Sequence, residues 1–377
     1  MNILISTGDS SGDFIGSLLL KRLKELSPNI FFYAIGGEKL RAAGAKVLED
    51  SSTWSAIGIF DALSKVPRVY LASRRIRKKL PHLNLNGVIY IDCPAFNLYL
   101  AQAIVKLGIP SVYFFPPSQW RNDPKRAAKV GKLVNRVIAP FTQASKVYQE
   151  ANVPVFFSGH PLLDILESEE KSEVIFRELG LDRNRPVVGL FPGSRDQEIH
   201  YLLPLELAAA RKLLAKIPKL QFVLPISRKN LEKTILHQIR SSGLPVVART
   251  EINHKVMQIA DFLILASGTA TLEATLFRKP MVIVYKVSPL TWRLERPLLK
   301  GVKFAGLPNL LAGKEIVPEL MQEKATVNNL VNHALKLLTD ESARKQMIAL
   351  LESLRPQLGE PGVIDRVSHQ ILETFGG

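Results

Sequence analysis

Short β-branched runs alternate with helix-length amphipathic segments in two successive series along this chain, the pattern of parallel sheets covered by helices. The first series offers strands at Asn2–Ser6, Phe31–Ile35, Val88–Asp92, Ser111–Phe115, Leu133–Ala139 and Val155–Ser158. The second offers Val187–Phe191, Gln221–Pro225, Pro245–Ala248, Phe262–Ala266 and Met281–Tyr285. Gly159-His160-Pro161 closes the first series, and the polar stretch carrying Glu167, Glu169, Glu170, Lys171 and Glu173 reads as a linker. From about Pro318 the pattern is purely helical, with candidates at Thr326–Leu338, Ser342–Leu354 and Gly362–Phe375. The expected fold is α/β: two tandem Rossmann-like doubly wound domains at 1–165 and 166–345, followed by a helical tail at 346–377. A chain of 377 residues exceeds what one hydrophobic core usually organises, which agrees with two domains. Open sheets of this kind bind ligands at the carboxyl ends of their strands, so the loops after strands are where chemistry belongs.

Charge narrows the ligand. Fifty Lys plus Arg against 34 Asp plus Glu give a net +16. Residues 1–160 hold 21 basic and 10 acidic side chains, so most of the excess lies in the first half, which is expected to face something anionic. Ala62 to Ile91 contains no acid but carries Lys65, Arg68, Arg74, Arg75, Arg77, Lys78 and Lys79, interleaved with Leu63, Val66, Val69, Tyr70, Leu71, Ile76 and Leu80. Basic and apolar side chains at helical spacing read as a membrane-surface element, with an ordinary solvated helix as the alternative. Nucleic acid is disfavoured, because the basic residues interleave with aliphatics and no recognition motif is present. One cysteine, Cys93, suits a reducing compartment. No secretory leader and no membrane-spanning apolar run is seen, so a cytoplasmic location is expected. The seven histidines show no close ligand pairing, and no metal or other cofactor is expected.

Five loops carry the candidate chemistry. Ser6-Thr7-Gly8-Asp9-Ser10-Ser11-Gly12-Asp13 follows the first strand, and its glycine spacing is not that of a dinucleotide fingerprint. Asp13 reads either as a cap on the helix expected from Phe14 or as a general base. Asp92, ahead of Cys93-Pro94, has the same two readings, and Asp9 is the third carboxylate available; Asp13 ranks first as the base, because it lies in the loop after the first strand. Pro116-Pro117-Ser118-Gln119-Trp120-Arg121 offers an aromatic for sugar stacking and a cation. In the second half, Pro192-Gly193-Ser194-Arg195 joins a turn with bared N–H groups to a guanidinium, a diphosphate-binding arrangement. Ser267-Gly268-Thr269-Ala270-Thr271 supplies hydroxyls at a helix start, and Glu273, one turn in, suits a ribose diol. A nucleotide-diphosphate sugar in the second domain and an acceptor in the first would fit.

Six motifs then occur in order: Gly8-Asp9-x-Ser11-Gly12-Asp13, Ile91-Asp92-x-Pro94-x-Phe96-Asn97, Gly159-His160-Pro161-Leu162-x-Asp164, Leu190-x-Pro192-Gly193-Ser194-Arg195-x-x-Glu198, Ala266-Ser267-Gly268-Thr269-Ala270-x-Leu272-Glu273 and Leu307-Pro308-Asn309-Leu310-Leu311-Ala312-Gly313. The chain resembles lipid-A-disaccharide synthases over essentially its whole length. The resemblance implies the GT-B fold and an inverting, metal-independent glycosyltransferase at the inner face of the cytoplasmic membrane. It implies transfer of a diacylated glucosamine from UDP to the 6-hydroxyl of a diacylated glucosamine 1-phosphate, with release of UDP. By matching motif, Arg195, Ser267, Gly268, Thr269, Glu273 and Asn309 would line the UDP site, with Gly193, Ser194 and Ala270 beside them. Arg195 would also serve catalysis, while Arg74, Arg75, Lys78, Lys79, Trp120 and Arg121 would meet the acceptor or the membrane. The family usually has Glu at Asp9, Asp at Ala95, and Trp-Ala-Trp at Gln119-Trp120-Arg121. Those departures leave two alternatives: a GT-B transferase or epimerase using a UDP-sugar with another acceptor, or a catalytically degenerate lipid-binding relative.

Overall fold

The computed structural model of the chain describes residues 1–51, 54, 59–117, 123–166, 172–295 and 304–376, and for 59–65 and 295 the backbone alone. Trp120 and Arg121, with Ser118 and Gln119, lie outside the described residues, as does most of the expected linker. Two compact units emerge: Met1–Ile165 together with Gln357–Gly377, and Leu166–Pro356.

The first unit is built on seven parallel strands: β1 (Asn2–Ser6), β2 (Phe31–Gly36), β3 (Lys46–Asp50), β4 (Gly87–Ile91), β5 (Ser111–Phe114), β6 (Arg136–Ala139) and β7 (Val155–Phe157). Their spatial order is β3-β2-β1-β4-β5-β6-β7. Every residue of β4 and β5 is buried, as expected of central strands covered on both faces. The second unit has β8 (Val187–Phe191), β9 (Gln221–Ile226), β10 (Val246–Thr250), β11 (Phe262–Ala266), β12 (Met281–Tyr285) and β13 (Glu319–Met321), ordered β10-β9-β8-β11-β12-β13. Strand order reverses between β1 and β4 in one sheet and between β8 and β11 in the other. These are the two topological switch points, where doubly wound sheets bind ligands. The loops after β1, β4, β8 and β11 carry Asp9, Asp92, Arg195 and Ser267, so the candidate residues sit at those points.

Two strands escape the sequence pattern. β3 reads Lys-Val-Leu-Glu-Asp and β13 has three residues, and both are edge strands that need no continuous apolar run. The region after Pro318 is therefore not purely helical. The expected tail also divides. The helices Val327–Thr339 and Glu341–Glu352 pack in the second unit, whereas the last helix, Val363–Phe375, lies in the first. Asp164 receives that helix: its carboxylate accepts hydrogen bonds from the N–H groups of Gly362, Val363 and Ile364 at 2.7, 3.0 and 2.7 Å. Gly159 (φ +82°) lets the Leu358 carbonyl approach, because a Cβ there would lie 2.7 Å from that oxygen. His160, whose imidazole is held neutral by burial, closes the joint through its backbone N–H, which donates to the Leu358 carbonyl. The Gly159-His160-Pro161 motif thus docks the last helix.

One core residue breaks the rule that buried charge is paired. Glu206 faces inward from the helix Asp196–Lys216, is 0% exposed, and neither carboxylate oxygen has a hydrogen-bond partner among the described residues. Burial pushes its carboxyl well above the ordinary range, so the folded chain keeps the proton that the unfolded chain releases. A raised acid pKa costs stability as pH climbs above the unfolded value, and the cost disappears in acid. Glu206→Leu is expected to stabilise the second unit by about 1–3 kcal/mol at pH 5, the penalty of an unpaired buried polar group. The gain should be larger at pH 8. Urea unfolding at both pH values measures it, and an equal or smaller gain at pH 8 would show that the carboxyl is not protonated in the fold.

Candidate functional site

In the first unit, β1 and β4 deliver three carboxylates into different surroundings. The helix expected from Phe14 begins at Ser10, with Asp9 as its N-cap and Asp9 Oδ1 accepting from the Gly12 N–H at 2.7 Å. Asp13 is 5% exposed and engaged on both oxygens: Oδ1 accepts from the N–H of Gly37 at 2.6 Å and Leu40 at 3.4 Å, and Oδ2 from Lys39 at 2.9 Å. It caps the neighbouring helix Glu38–Ala42 rather than its own, so its lone pairs are directed at backbone donors. Asp92 differs from both. It is exposed, yet recessed among enough protein that its carboxyl rises to about 6. Loss of hydration is the main cause and the charge of Asp9 the second, while the N–H of Cys93 opposes them. Gly8 permits this arrangement, because a Cβ on it would lie 2.1 Å from Cys93 Sγ. Asp92, exposed at the switch point, therefore replaces Asp13 as the candidate base, because the Asp13 oxygens are taken by backbone donors while the Asp92 carboxyl is raised toward neutral pH.

In the second unit, the turn after β8 is not bare. Glu198 Oε2 accepts from the N–H groups of Ser194 at 2.6 Å and Arg195 at 3.1 Å, and Oε1 pairs with the Arg195 guanidinium at 3.1 Å. Gly193, at φ +106°, makes room for that carboxylate, since a Cβ there would lie 2.2 Å from Glu198 Oε2. The N–H groups read from sequence as free for phosphate are thus occupied. What the turn offers a ligand is the guanidinium, whose side chain is 34% exposed and whose orientation Glu198 fixes.

Across the switch point, Ser267 Oγ donates to the Ala305 carbonyl at 2.7 Å. Gly268 and Thr269 are exposed, and Thr269 makes no side-chain cap on the helix Ala270–Leu276. Glu273 lies one turn in, with His254 Nε2 3.3 Å from its Oε2, a neighbour that sequence spacing does not reveal. Asn309 departs from expectation. It is 0% exposed and spends its amide internally, donating to the Val317 carbonyl and Glu319 Oε1 at 2.7 Å each and accepting from the Ile316 and Val317 N–H groups. Glu319 on β13 also accepts from the N–H groups of Ala305 and Gly306. Asn309 and Glu319 therefore shape the segment against which Ser267 is held, and neither Asn309 amide atom faces a ligand.

The helix Ile59–Lys79 turns Ala72, Ser73 and Ile76 into the core. It leaves Val66, Tyr70 and Leu71 more than half exposed beside the exposed Arg68, Arg74, Lys78 and Lys79. Arg75 is less free, being paired with Glu49 at 2.6 Å, and Arg77 lies over the Tyr99 ring at 4.9 Å. Among the described residues no helix is long and apolar enough to cross a membrane.

A family model described as lipid-A-disaccharide synthetase matches residues 3–367. The lipid-A-disaccharide synthase of Geobacter metallireducens is 36% identical over 375 residues, covering 99% of this chain and 97% of that protein. That of Coxiella burnetii is 34% identical over 370 residues, covering 98% and 97%. Among solved structures, a UDP-GlcNAc 2-epimerase from Neisseria meningitidis superposes with a TM-score of 0.65 at 13% identity, covering 99% of this chain and all of that one. MurG of Acinetobacter baumannii superposes with a TM-score of 0.58 at 13% identity, covering 99% of each. At such identities the structural likeness shows a shared two-unit architecture.

Proposed function

The chain belongs to the lipid-A-disaccharide synthase family, a glycosyltransferase of lipid A biosynthesis, and on that premise we propose that it joins a UDP-linked diacylglucosamine to a diacylglucosamine 1-phosphate. In this reading the acceptor's 6-hydroxyl attacks the donor's anomeric carbon from the face opposite the diphosphate, inverting that centre. Asp92 takes the hydroxyl proton, the C–O bond to the diphosphate breaks, and UDP leaves. The Arg195 guanidinium and the exposed helix start at Gly268–Ala270 compensate the charge growing on the leaving group, which removes the need for a metal ion. Glu273, oriented by His254, receives the ribose diol. The carrying observation is Asp92: an exposed carboxyl at a topological switch point, raised toward neutral pH, while Asp13 is consumed by backbone donors. Mass spectrometry of the products from defined UDP-sugar and acceptor lipid tests the reading. A disaccharide 1-phosphate plus UDP supports it; an epimerised UDP-sugar, or no turnover with either lipid, overturns it.

Both proposed substrates are anionic lipids, and the helix Ile59–Lys79 gives the first unit a surface suited to the inner face of the cytoplasmic membrane. Each basic residue near an anionic surface contributes about 1 kcal/mol, and insertion of Val66, Tyr70 and Leu71 adds a salt-insensitive part. Reversing Arg74, Lys78 and Lys79 to Glu is expected to reduce sedimentation with phosphatidylglycerol-containing vesicles at least about tenfold at low salt. Arg75 is spared because its partner Glu49 is part of the fold. Undiminished vesicle binding would mark the segment as an ordinary solvated helix.

A further inference from the structure

We propose that Tyr113 is a positioning residue for the Asp92 carboxylate, acting through the Asp92 carbonyl to hold a strand-to-helix turn in a backbone conformation that it would otherwise leave. The inference rests on the reading of Asp92 as the proton acceptor. Two consecutive residues without the freedom of glycine, Asp92 at φ +49° and Cys93 at φ +48°, occupy the left-handed region between β4 and the helix Pro94–Lys106. Each such residue costs on the order of 1–3 kcal/mol and persists only where its surroundings over-determine it. Those surroundings converge on one atom. The Asp92 carbonyl accepts from Tyr113 Oη at 2.7 Å and from Asn97 Nδ2 at 2.7 Å, which prevents the peptide joining Asp92 to Cys93 from flipping.

The two clamps differ in what else they do. Asn97 is committed to the fold: it also donates to the Ser6 and Ile91 carbonyls and accepts from Ser6 Oγ at 2.6 Å, tying the end of β1 to the end of β4. Tyr113 is 0% exposed on β5, in register with Tyr90 of β4, and its hydroxyl's bond to the Asp92 carbonyl crosses from one strand to the turn of the next. Its phenol is held neutral by burial, so it acts as a donor. Among the described residues, the groups that face Asp92 are Asp9 from the loop after β1, the adjacent Cys93 thiol, pushed up to about 12 by burial, and Tyr113 from β5; the charge of Asp9 is the one that raises the Asp92 carboxyl. Holding the turn keeps Asp92 recessed beside Asp9. Releasing it would let the carboxyl swing toward solvent and become an ordinary, weaker base.

The test is Tyr113→Phe in the full chain, which keeps the ring and removes one donor. Turnover is expected to fall at least about tenfold, with the donor's KM and UDP affinity within twofold of the parent. The acidic limb of the kcat/KM profile should move from about 6 toward the usual carboxylate range. Adding Cys93→Gly, which makes the left-handed conformation free at one of the two positions, should recover part of the loss; a general packing defect would not respond in this way. Full turnover in Tyr113→Phe with an unmoved acidic limb, while Asp92→Asn collapses turnover, overturns the positioning role and leaves the base assignment standing. A turnover loss with an unmoved limb and no recovery from Cys93→Gly overturns it as well. Retained turnover in Asp92→Asn removes both.

Discussion

Asp92→Asn is expected to lower turnover by about 100-fold or more with little change in stability, because the amide keeps the shape of the carboxyl but cannot take the acceptor's proton. The parent's kcat/KM should rise with pH through about 6, since the deprotonated form does the work and its pKa lies above the ordinary carboxylate value. In Asp92→Asn that rise should vanish. Asp13→Asn supplies the contrast. Its carboxylate accepts from Gly37, Lys39 and Leu40, and an amide oxygen can replace only one side of that cap. The expected result is a loss of roughly 1–2 kcal/mol in stability, with turnover per folded molecule preserved. The opposite pattern, activity lost in Asp13→Asn and kept in Asp92→Asn, would return the base assignment to the loop after β1.

Arg195→Ala carries the second large effect. The guanidinium is the cation of the turn after β8, and Glu198 bonds to one of its ends. Its removal subtracts one cation from the departing diphosphate and leaves the Glu198 carboxylate without its counter-charge on the same side. Together these should cost on the order of 2–4 kcal/mol of transition-state stabilisation, about 30- to 1,000-fold in kcat/KM. UDP affinity measured calorimetrically should fall as well, because product and leaving group share the diphosphate. Arg195→Lys keeps the charge but not the forked geometry that Glu198 grips, so it should recover only part of the loss. Unchanged turnover and unchanged UDP affinity in Arg195→Ala would exclude the assignment.

The inner strands were legible because strands buried on both faces must be continuous apolar runs, and Val187–Phe191, Phe262–Ala266 and Met281–Tyr285 appear with the bounds the pattern predicts. Lys46–Asp50 was not, since an edge strand can carry charge, here on Lys46, Glu49 and Asp50. Site residues were legible as types in loops, and their roles were not. Nothing local to Asp13 announces that its partners are the N–H groups of residues 37, 39 and 40, because that depends on β1 lying beside β2 in one register. Asn309 sits in a motif that suggests ligand contact, and only the fold shows its amide spent on Ile316, Val317 and Glu319. Tyr113 gave no signal at all, being one more large residue in a buried strand.

The last helix finishes a sheet whose first strand begins at Asn2, with Phe375 against Gly87 at the start of β4 and Val363, Val367 and Ile371 fully enclosed. On a translating ribosome this imposes a wait. The first 165 residues emerge early, but the face that Val363–Phe375 covers stays open while the intervening stretch of about 190 residues, Leu166–Pro356, is made. At roughly 5–20 residues per second that interval lasts on the order of ten to forty seconds. Throughout it the nascent sheet shows apolar surface and the Asp164 carboxylate has no helix to receive, so the unit synthesised second can complete its own core before the unit synthesised first.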